Sequence, residues 1–424
     1  MKNKNTVVKI WVEACRFLIG IVFVFSGFVK AVDPVGGAIK IGEYLASFGL
    51  DGLLSFTGLL SFNLSAIEFA LGACMLLGVY RRYVSFLVLV FMAFMTPLTL
   101  YLALFDPVSD CGCFGDALVI SNWETFFKNV VLSVAAVTVF IHNQRMFQCF
   151  TFRAYWFVAL YAYLFGVGFA YYNYNHLPVI DFRPYKVGAN IPQLMEIPEG
   201  APQDEYKYTF VYEKDGVKKE FSLEDYPAND SSWTFVESKT ELVKKGYQPP
   251  VAAFNLYDGE GEDVTEEIIG NPGPVLLLVA PKLEEADDRR MDEINGVYDY
   301  ALEHTIPFYC VTGSSPEAID AWSDNTGAEY PFRMADEVLL KTIIRSNPGL
   351  VLLKGGTILG KWHYNDIPSE EHVKEVMNRR LLESKVKNKE GGVLATNLST
   401  FAVPLLLVWL YDWLRFRRKR KEKK

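Results

Sequence analysis

Cysteine and histidine are scarce in this chain, and their scarcity limits the kinds of site that it can build. The 424 residues include six cysteines and five histidines. A closed zinc site needs about four such ligands, and the histidines are too few and too distant to complete one around a cysteine pair. The sequence also lacks a basic stripe with interleaved aromatic residues, which nucleic-acid-binding surfaces have. We therefore expect neither a metal site nor a nucleic-acid partner.

Two of the six cysteines are separated by a single glycine, in a short polar gap between two apolar segments. Thiols this close form a disulfide without long-range folding, and a small strained ring is exchangeable. The pair is therefore either redox-active or a structural clip, and the motif alone leaves both interpretations open. Flanking carboxylates raise a thiol pKa, which argues against a fast nucleophile. The run reads Asp110-Cys111-Gly112-Cys113-Phe114-Gly115-Asp116.

Charge is distributed unevenly along the chain. Residues 175–392 carry 39 acidic and 23 basic side chains, whereas the rest of the chain carries 11 acidic and 19 basic ones. Long apolar runs fill the first 175 residues or so and return briefly near the end. An acidic polar part joined to a basic apolar part is typical of an integral membrane protein, with the lipid bilayer as its partner.

Six apolar segments are each long enough to cross a bilayer, which requires about 20 residues. The first is not a cleaved signal peptide, because it is long and ends without a small-residue cleavage pattern. Pro97 predicts a kink in the third, and Ser121 with Glu124 predicts a capping box that opens the fourth. Glycines and charges interrupt 38–60, which favours an interfacial helix over a span. The predicted spans are 7–29, 62–79, 84–104, 121–142, 154–174 and 393–414, and the first four belong to a helical domain at 7–145.

The positive-inside rule orients these spans. Basic residues flank the first span, the turn after the second and the end of the fourth, and they fill the tail at 415–424. With six spans, all four basic groups fall on one side. We therefore predict a protein of the cytoplasmic (inner) membrane with both termini cytoplasmic and residues 175–392 extracytoplasmic or periplasmic. The CGC pair lies on the outer side, where disulfides persist. The other membrane-region cysteines are predicted to be inert packing thiols: Cys15, Cys74 and Cys149.

Glu68 is a carboxylate inside the second predicted span. An intramembrane carboxylate is costly unless it is paired, so it is a functional candidate by default. Arg16 and Lys30 of the first span are candidate partners. A purely structural polar contact between helices is the alternative interpretation.

The polar part of the chain divides into two predicted domains. Residues 175–245 form a β-rich linker domain with a hairpin of strands 206–213 and 217–223. Residues 246–385 alternate strands and helices, which predicts an α/β domain with a mixed sheet. Its predicted strands are 251–257, 274–281, 306–311, 350–353 and 357–362, and its predicted helices are 284–304, one that begins at Pro316 with Ser315 as cap, and 337–345.

This strand and helix order resembles the thioredoxin fold, in particular TlpA-like and peroxiredoxin-like domains. Pro348 resembles the cis-proline of that fold, and Lys354-Gly355-Gly356 resembles its closing turn. The family carries a CxxC pair after the second core strand, whereas this chain has Ala280-Pro281-Lys282-Leu283-Glu284-Glu285. Without a thiolate there, the domain cannot carry out thioredoxin chemistry alone. Cys310 ends an interior strand and is predicted to be a buried core residue.

The N-terminal part resembles DoxX/MauE membrane proteins. Residues 16–30 resemble their first helix, Glu68 with Gly72 and Gly78 resembles the second, and the CGCFG run resembles the loop before the fourth. The resemblance implies a four-helix core and a redox-associated role. MauE proteins are associated with methylamine utilisation and with maturation of a disulfide-rich periplasmic subunit. The additional polar domain lies outside the core family, so the resemblance implies the redox class and leaves the pathway open.

Two functions of different classes fit these features. In the first, Cys111 and Cys113 exchange disulfides with an extracytoplasmic client or redox partner, and electrons pass to or from a quinone or a partner protein. In the second, the chain is a non-catalytic assembly or docking protein, in which the pair is a clip and the thioredoxin-like domain binds a partner. A transporter is disfavoured, because the spans contain few charges and no inverted repeat is evident.

Overall fold

The computed structural model describes residues 2–108, 110–202, 205–214, 217–222, 233–244, 246–378 and 383–422. The N-terminal region is helical, with several long apolar helices, and an α/β region with two sheets follows it. The helices of the N-terminal region are α1 (Lys2–Val32), α2 (Pro34–Ser47), α3 (Thr57–Leu77), α4 (Arg81–Phe105), α5 (Asn122–Ile141) and α6 (Tyr155–Asn175). The later helices are α7 (Ile191–Met195), α8 (Thr265–Ile269), α9 (Met291–Glu303), α10 (Pro316–Thr326), α11 (Glu337–Ile343), α12 (Glu370–Asn378) and α13 (Glu383–Glu422).

Among the described residues, six helical segments are long and apolar enough to cross a membrane, the number that the sequence predicts. The predicted segment 38–60 divides into α2 and a 3-10 turn at Asp51–Phe56 that leads into α3. Helix α2 has 14 residues, about 21 Å of helix, which is too short to cross a hydrocarbon core of about 30 Å. The six segments are Thr6–Val32, Asp51–Leu77, Arg81–Phe105, Asn122–Ile141, Phe152–Asn175 and Gly392–Arg415.

Helices α1 and α3 pack closely along their length because glycines remove side chains from their interface. A Cβ atom on Gly27 would overlap the backbone of Phe69, and one on Gly72 would overlap the backbone of Val24. Small residues allow this approach between apolar helices. The close contact brings the polar residues in the second half of α1 against the middle of α3.

The basic helix ends lie together at one end of the helical region. Arg81, at the start of α4, donates to the carbonyls of Gln144 and Met146 in the turn after α5. Thr151, before α6, bonds to Asp412 near the end of α13. The Cys111–Cys113 loop and α2 therefore lie at the opposite end. Ser121 and Glu124 form the predicted capping box of α5, and Pro97 lies inside α4.

The first sheet has three antiparallel strands in the order β2-β1-β3. It confirms the predicted hairpin, although Asp215, Gly216 and Leu223 of that prediction lie outside the described residues. The third strand was not predicted, because its charged sequence has no clear apolar alternation. The strands are β1 (Glu205–Lys214), β2 (Val217–Ser222) and β3 (Thr234–Lys244).

The second sheet is mixed, as predicted, with five strands in the order β6-β5-β4-β7-β8. Strand β5 pairs in parallel with β4 and β6, whereas β7 pairs antiparallel with β4 and β8. Alternate residues of β4 enter two separate apolar cores, so both faces of the sheet are covered. The strands are β4 (Pro274–Ala280), β5 (Phe308–Thr312), β6 (Phe332–Met334), β7 (Gly349–Lys354) and β8 (Thr357–His363).

Several predicted boundaries in this region were wrong. Segment 251–257 is irregular, and its only sheet-type pairings are two isolated bridges at Tyr257, to Asp263 and to Met334 of β6. Its other apolar side chains pack into the core. The predicted helix 284–304 begins only at Met291, after a short 3-10 turn. Strand β6 was not predicted. Ser315 caps α10 and Pro316 is its first residue, as predicted.

Polar contacts join the helical region to the α/β region. The guanidinium of Arg345, just after α11, lies 3.0 Å from Asp33 Oδ2 at the corner between α1 and α2. Asn365, after β8, donates to the carbonyl of Asn175 at 2.9 Å. These contacts place one edge of the second sheet over the end of the helical region that carries the CGC pair.

Candidate functional site

The loop between α4 and α5 carries the CGC pair and folds back against the helices. Gly112 has φ +63° and Gly115 has φ +50°, the left-handed region that glycine adopts without steric cost. A Cβ on Gly112 would lie 2.7 Å from Lys40 Cγ, so glycine also allows the lysine stem of α2 to cross the loop. The two glycines therefore shape the loop and permit its contact with α2.

The two thiols face each other inside the loop. The sulfur atoms of Cys111 and Cys113 are 2.8 Å apart, and both residues are buried. A disulfide bond measures about 2.05 Å, so the two sulfurs need to move little when an oxidant takes up the two electrons that bond formation releases. The predicted redox pair is therefore assembled at hydrogen-bond distance.

Two side chains from neighbouring helices hold the loop by its cysteine carbonyls. The hydroxyl of Tyr44, on α2, donates to the carbonyl of Cys111 at 2.7 Å. Ser26, on α1, donates to the carbonyl of Cys113 at 2.7 Å, and its Oγ is also 2.6 Å from Glu68 Oε2. Both halves of the pair are thus fixed from outside the loop.

Glu68 forms a buried ion pair directly behind the loop. Lys30 Nζ lies 2.6 Å from Glu68 Oε1. With Ser26, the pair makes a continuous polar chain from α1 and α3 to the backbone of Cys113. Of the two predicted partners, only Lys30 reaches the carboxylate.

Arg16 was also predicted to belong to the site, and the structure places it elsewhere. It lies 14 residues before Lys30 on α1, about 21 Å along the helix axis. There it pairs with Glu13 and donates to the carbonyl of Phe147. Arg16 is 2% exposed, so its buried charge needs a partner. The pairing lies at the end of the helical region opposite the CGC pair.

The environment gives the two thiols different acidities. The pKa of Cys113 is lowered to about 6, first because the Cys111 thiol donates to its sulfur and then because Lys128 and Lys30 lie near, against the opposing effect of burial. The pKa of Cys111 is raised by the same hydrogen bond and by burial. Cys113 is thus the thiolate of the pair.

This asymmetry corrects the expectation drawn from the flanking carboxylates. Asp110 points its carboxylate to the backbone N–H of Gly112 at 2.8 Å and lies 3.3 Å from Lys40 Nζ. Asp116 lies 3.7 Å from the guanidinium of Arg345. Cations thus balance both carboxylates, and lysines act on Cys113, so a fast nucleophile is compatible with the motif.

Phe114 covers the pair on the side of α5. Lys128 Nζ lies 4.3 Å from the centre of its ring, and Phe25 of α1 packs on it with ring centres 5.3 Å apart. A cation held over an aromatic face keeps its charge while remaining poorly hydrated. Phe114 therefore keeps the positive charge of Lys128 close to the pair.

The α/β region contributes no thiol to this site. The Asn347–Pro348 peptide bond is cis, the isomer that the resemblance implied. Asn347 donates to the carbonyl of Lys282, in the stretch where proteins of the thioredoxin fold carry a CxxC pair and this sequence has no cysteine. Cys310 is fully buried, as predicted, and burial raises its pKa.

Sequence reasoning did not find several groups that complete the site. Ser26 lies four residues before Lys30, one turn away on the same face of α1, which is a local signal that could have identified it. The others come from distant parts of the chain and have no local signal. The unpredicted groups are Ser26, Asp33, Lys40, Tyr44, Lys128 and Arg345.

Residues 8–142 match the family model described as Methylamine utilisation protein MauE. This range contains α3, α4 and α5 and the CGC loop. Residues 206–245, which carry most of the first sheet, match a model described as Domain of unknown function (DUF8463). None of the curated proteins compared is significantly similar to the chain.

A solved structure from Bacteroides thetaiotaomicron, a solution structure of a protein assigned as a protein disulfide isomerase, is similar to part of the chain. The identity is 19% and the TM-score is 0.24, over 29% of this chain and 80% of that one. A similarity at this level carries no argument about fold or function.

Proposed function

We propose that the protein is a membrane-integral thiol–disulfide exchange protein whose reactive groups are Cys111 and Cys113. The observation that carries the proposal is the pair itself, with two buried sulfurs 2.8 Å apart. The lowered pKa of Cys113 makes it the attacking sulfur at neutral pH. The match of residues 8–142 to the MauE model supports a redox-associated membrane role.

In the proposed reaction, the Cys113 thiolate attacks one sulfur of a client disulfide. A mixed disulfide forms between Cys113 and the client, and the second client sulfur leaves as a thiolate. The Cys111 thiol then loses its proton, attacks Cys113 and releases the remaining client sulfur. The client gains two electrons and the Cys111–Cys113 pair loses two, and the reverse sequence oxidises a client.

The proposed orientation places the pair and the α/β region outside the cytoplasm. The contacts of Arg81 and Thr151 bring basic helix ends together at the end of the helical region opposite the pair. The positive-inside rule assigns that end to the cytoplasm. Both chain termini are then cytoplasmic, and the pair faces the compartment in which disulfides persist.

We further propose that the second sheet belongs to a thioredoxin-like domain that presents a client to the loop. The strand order β5-β4-β7-β8, with one parallel and two antiparallel pairings, and the cis bond at Pro348 support this assignment. The contact of Arg345 with Asp116 supports proximity of this domain to the loop. TlpA-like ancestry is part of the same proposal.

The second candidate function is a non-catalytic docking protein with a structural clip. The absence of cysteine between Ala280 and Glu285 favours it. In that case the disulfide only stiffens the loop, and partner binding by the α/β region is the function. The two candidates differ in whether the pair changes redox state reversibly.

A redox titration of the pair tests the proposed function. Full-length protein in native membranes is equilibrated in a series of thiol/disulfide buffers, and free thiols are counted by differential alkylation. We expect wild type and Cys74→Ser, a control cysteine inside α3, to titrate reversibly, because Cys74 does not contact the pair. Cys111→Ser and Cys113→Ser lose the transition. A pair that remains oxidised in strong reductant would establish the clip instead.

A further inference from the structure

A cavity of about 890 Å³ lies between the helical region and the α/β region, and both cysteines of the pair are on its wall. Its other walls are α2, parts of α3 and α4, and a cover formed by residues 178–184 and α11. Binding sites for small molecules typically measure roughly 300–1,000 Å³. The cavity is therefore large enough to hold an organic molecule beside the thiols.

The cavity continues as an apolar channel along α4. Phe91, Phe94, Met95 and Leu98 of that helix line it, and they occupy the middle of the segment that is long enough to cross a membrane. Helix α3 packs mainly on α1 and α6, whereas α4 packs mainly on α5, so the two helices leave a gap that α2 covers. The cavity thus extends from the loop to the depth of the bilayer.

The channel reaches the lipid-facing surface beside α2. Phe94 is 67% exposed and Leu50 is 47% exposed, and both border the cavity. Exposed apolar side chains at this depth face hydrocarbon, so a lipid-soluble molecule can enter sideways from the bilayer. A polar solute from the aqueous side would meet the cover formed by the α/β region.

The end of the cavity near the thiols is lined by hydrogen-bond donors. Lys30 and Lys40 are among the residues that line it, whereas the Tyr44 hydroxyl already donates its hydrogen to the Cys111 carbonyl. An ammonium group has three N–H donors, and the bond of Lys30 to Glu68 uses one of them. These donors suit a ligand whose head group carries carbonyl oxygens.

We propose that this cavity binds a lipid-soluble quinone, with its ring beside Cys111 and Cys113 and its apolar tail leaving between α2 and α4. The inference rests on the proposed thiol chemistry and names its electron acceptor. A quinone combines a flat redox-active ring, two carbonyl oxygens that accept hydrogen bonds, and a tail that partitions into lipid. A phospholipid chain would fill the apolar channel without accepting electrons.

In the proposed step the reduced pair is the electron donor and the quinone is the electron acceptor. The Cys111 thiol and the Cys113 thiolate together lose two electrons and one proton, and a sulfur–sulfur bond forms between them. The second proton that the quinone needs is the one that Cys113 had already released to solvent. The quinone takes up both electrons, and each of its two carbonyl oxygens gains one proton to give the quinol. The quinol returns to the bilayer, and the oxidised pair then accepts electrons from a client dithiol.

The test measures quinone reduction by full-length protein in lipid nanodiscs. The pair is first reduced and the reductant removed, and decylubiquinone is then added while its ultraviolet absorbance is followed. We expect quinol in an amount equal to the protein. Leu98→Trp, which fills the channel, slows the reaction by about tenfold or more, the effect of about 1.4 kcal/mol of lost binding. Leu87→Trp, a lipid-facing leucine of α4 outside the lining, reacts like wild type.

The other outcomes separate the two proposals. A pair that exchanges with oxidised glutathione but leaves decylubiquinone unreduced would overturn the quinone site and leave the thiol function intact. A pair that reacts with neither would overturn both. If Leu98→Trp does not fold, mass spectrometry of an organic extract of the purified wild-type protein decides whether the protein binds a quinone. Quinone in the extract supports the site, and phospholipid alone contradicts it.

Discussion

Cys113 is buried, and burial by itself would raise its pKa; the hydrogen bond from Cys111 and the nearby lysines outweigh that effect. Lys128 reaches the pair over the ring of Phe114, and Lys30 reaches it from the ion pair with Glu68. In a site with little water, the effect of such charges on a thiol is weakly screened. The pKa of Cys113 therefore depends on residues of neighbouring helices as well as on Cys111.

Removing the charge of Lys128 should raise the pKa of Cys113. A cation favours the thiolate, so in Lys128→Met the thiolate forms only at higher pH, with a rise of about one pKa unit, the usual effect of one nearby charge. The pH profile of Cys113 alkylation in the reduced protein measures this. The wild-type profile should have its midpoint near the pKa of about 6, and labelling of the variant at that pH should be several-fold slower.

The control for this substitution is Lys186→Met, which removes an exposed lysine of the α/β region. It should leave the alkylation profile unchanged. If Lys128→Met also leaves the alkylation profile unchanged, the ammonium group over Phe114 does not lower the pKa of Cys113. The acidity would then come from Cys111 and Lys30.

At the scale of elements, the loop between α4 and α5 takes its shape from glycines that the backbone requires. Gly112→Ala places a side chain in the left-handed region, which costs roughly 1–2 kcal/mol, and its Cβ would press on the stem of Lys40. We expect a lower apparent melting temperature of the purified protein and a disturbed CGC loop. Thermal unfolding in detergent measures the first, and the redox titration of the pair measures the second.

Gly58→Ala is the matched control, because Gly58 lies in α3 with open space at its Cβ position. Alanine there should keep or raise the melting temperature, since alanine favours helix over glycine by about 1 kcal/mol. Equal melting temperatures for Gly112→Ala and wild type would contradict the loop geometry.

Elements with local signals could be predicted from the sequence, and elements that depend on distant partners could not. The capping box at Ser121 and the cap at Ser315 are short-range patterns, and both were found. Strand β3 is ordered by pairing with β1 rather than by its own alternation. Segment 251–257 shows the converse, because its apolar residues are buried in the core although only Tyr257 bridges to the sheet.

The same limit applies to the site. The CGC run, Glu68 and Lys30 could be predicted because each signal lies within one stretch of sequence. The signals are two thiols one residue apart and charged residues inside or at the end of an apolar run. Arg345 stands 312 residues from Asp33 in the chain, and no pattern in either segment indicates their contact. The cavity likewise forms only where two regions of the chain meet. The sequence therefore suggested a quinone as one of two electron acceptors but did not indicate where it would bind.

At the scale of the whole molecule, Arg345 links the α/β region to the end of the helical region that carries the pair. Its guanidinium is 3.0 Å from Asp33 and 3.7 Å from Asp116, and it is largely buried. Breaking one side of a buried ion pair is costly because the remaining charge loses its partner. We therefore expect the contact to keep the cover over the cavity and to restrict access to the thiols from the aqueous side.

Arg345→Glu should weaken this contact by repulsion from Asp33 and Asp116 and expose the pair. We expect a bulky membrane-impermeant maleimide to label reduced Cys111 and Cys113 several-fold faster than in wild type. Arg290→Glu, which reverses an exposed charge on the far side of the sheet, should label at the wild-type rate. Adding Asp33→Arg to Arg345→Glu restores one ion pair across the contact and should slow labelling again. Unchanged labelling in Arg345→Glu would mean that the α/β region does not control access to the pair, and a client could then reach the thiols without moving it.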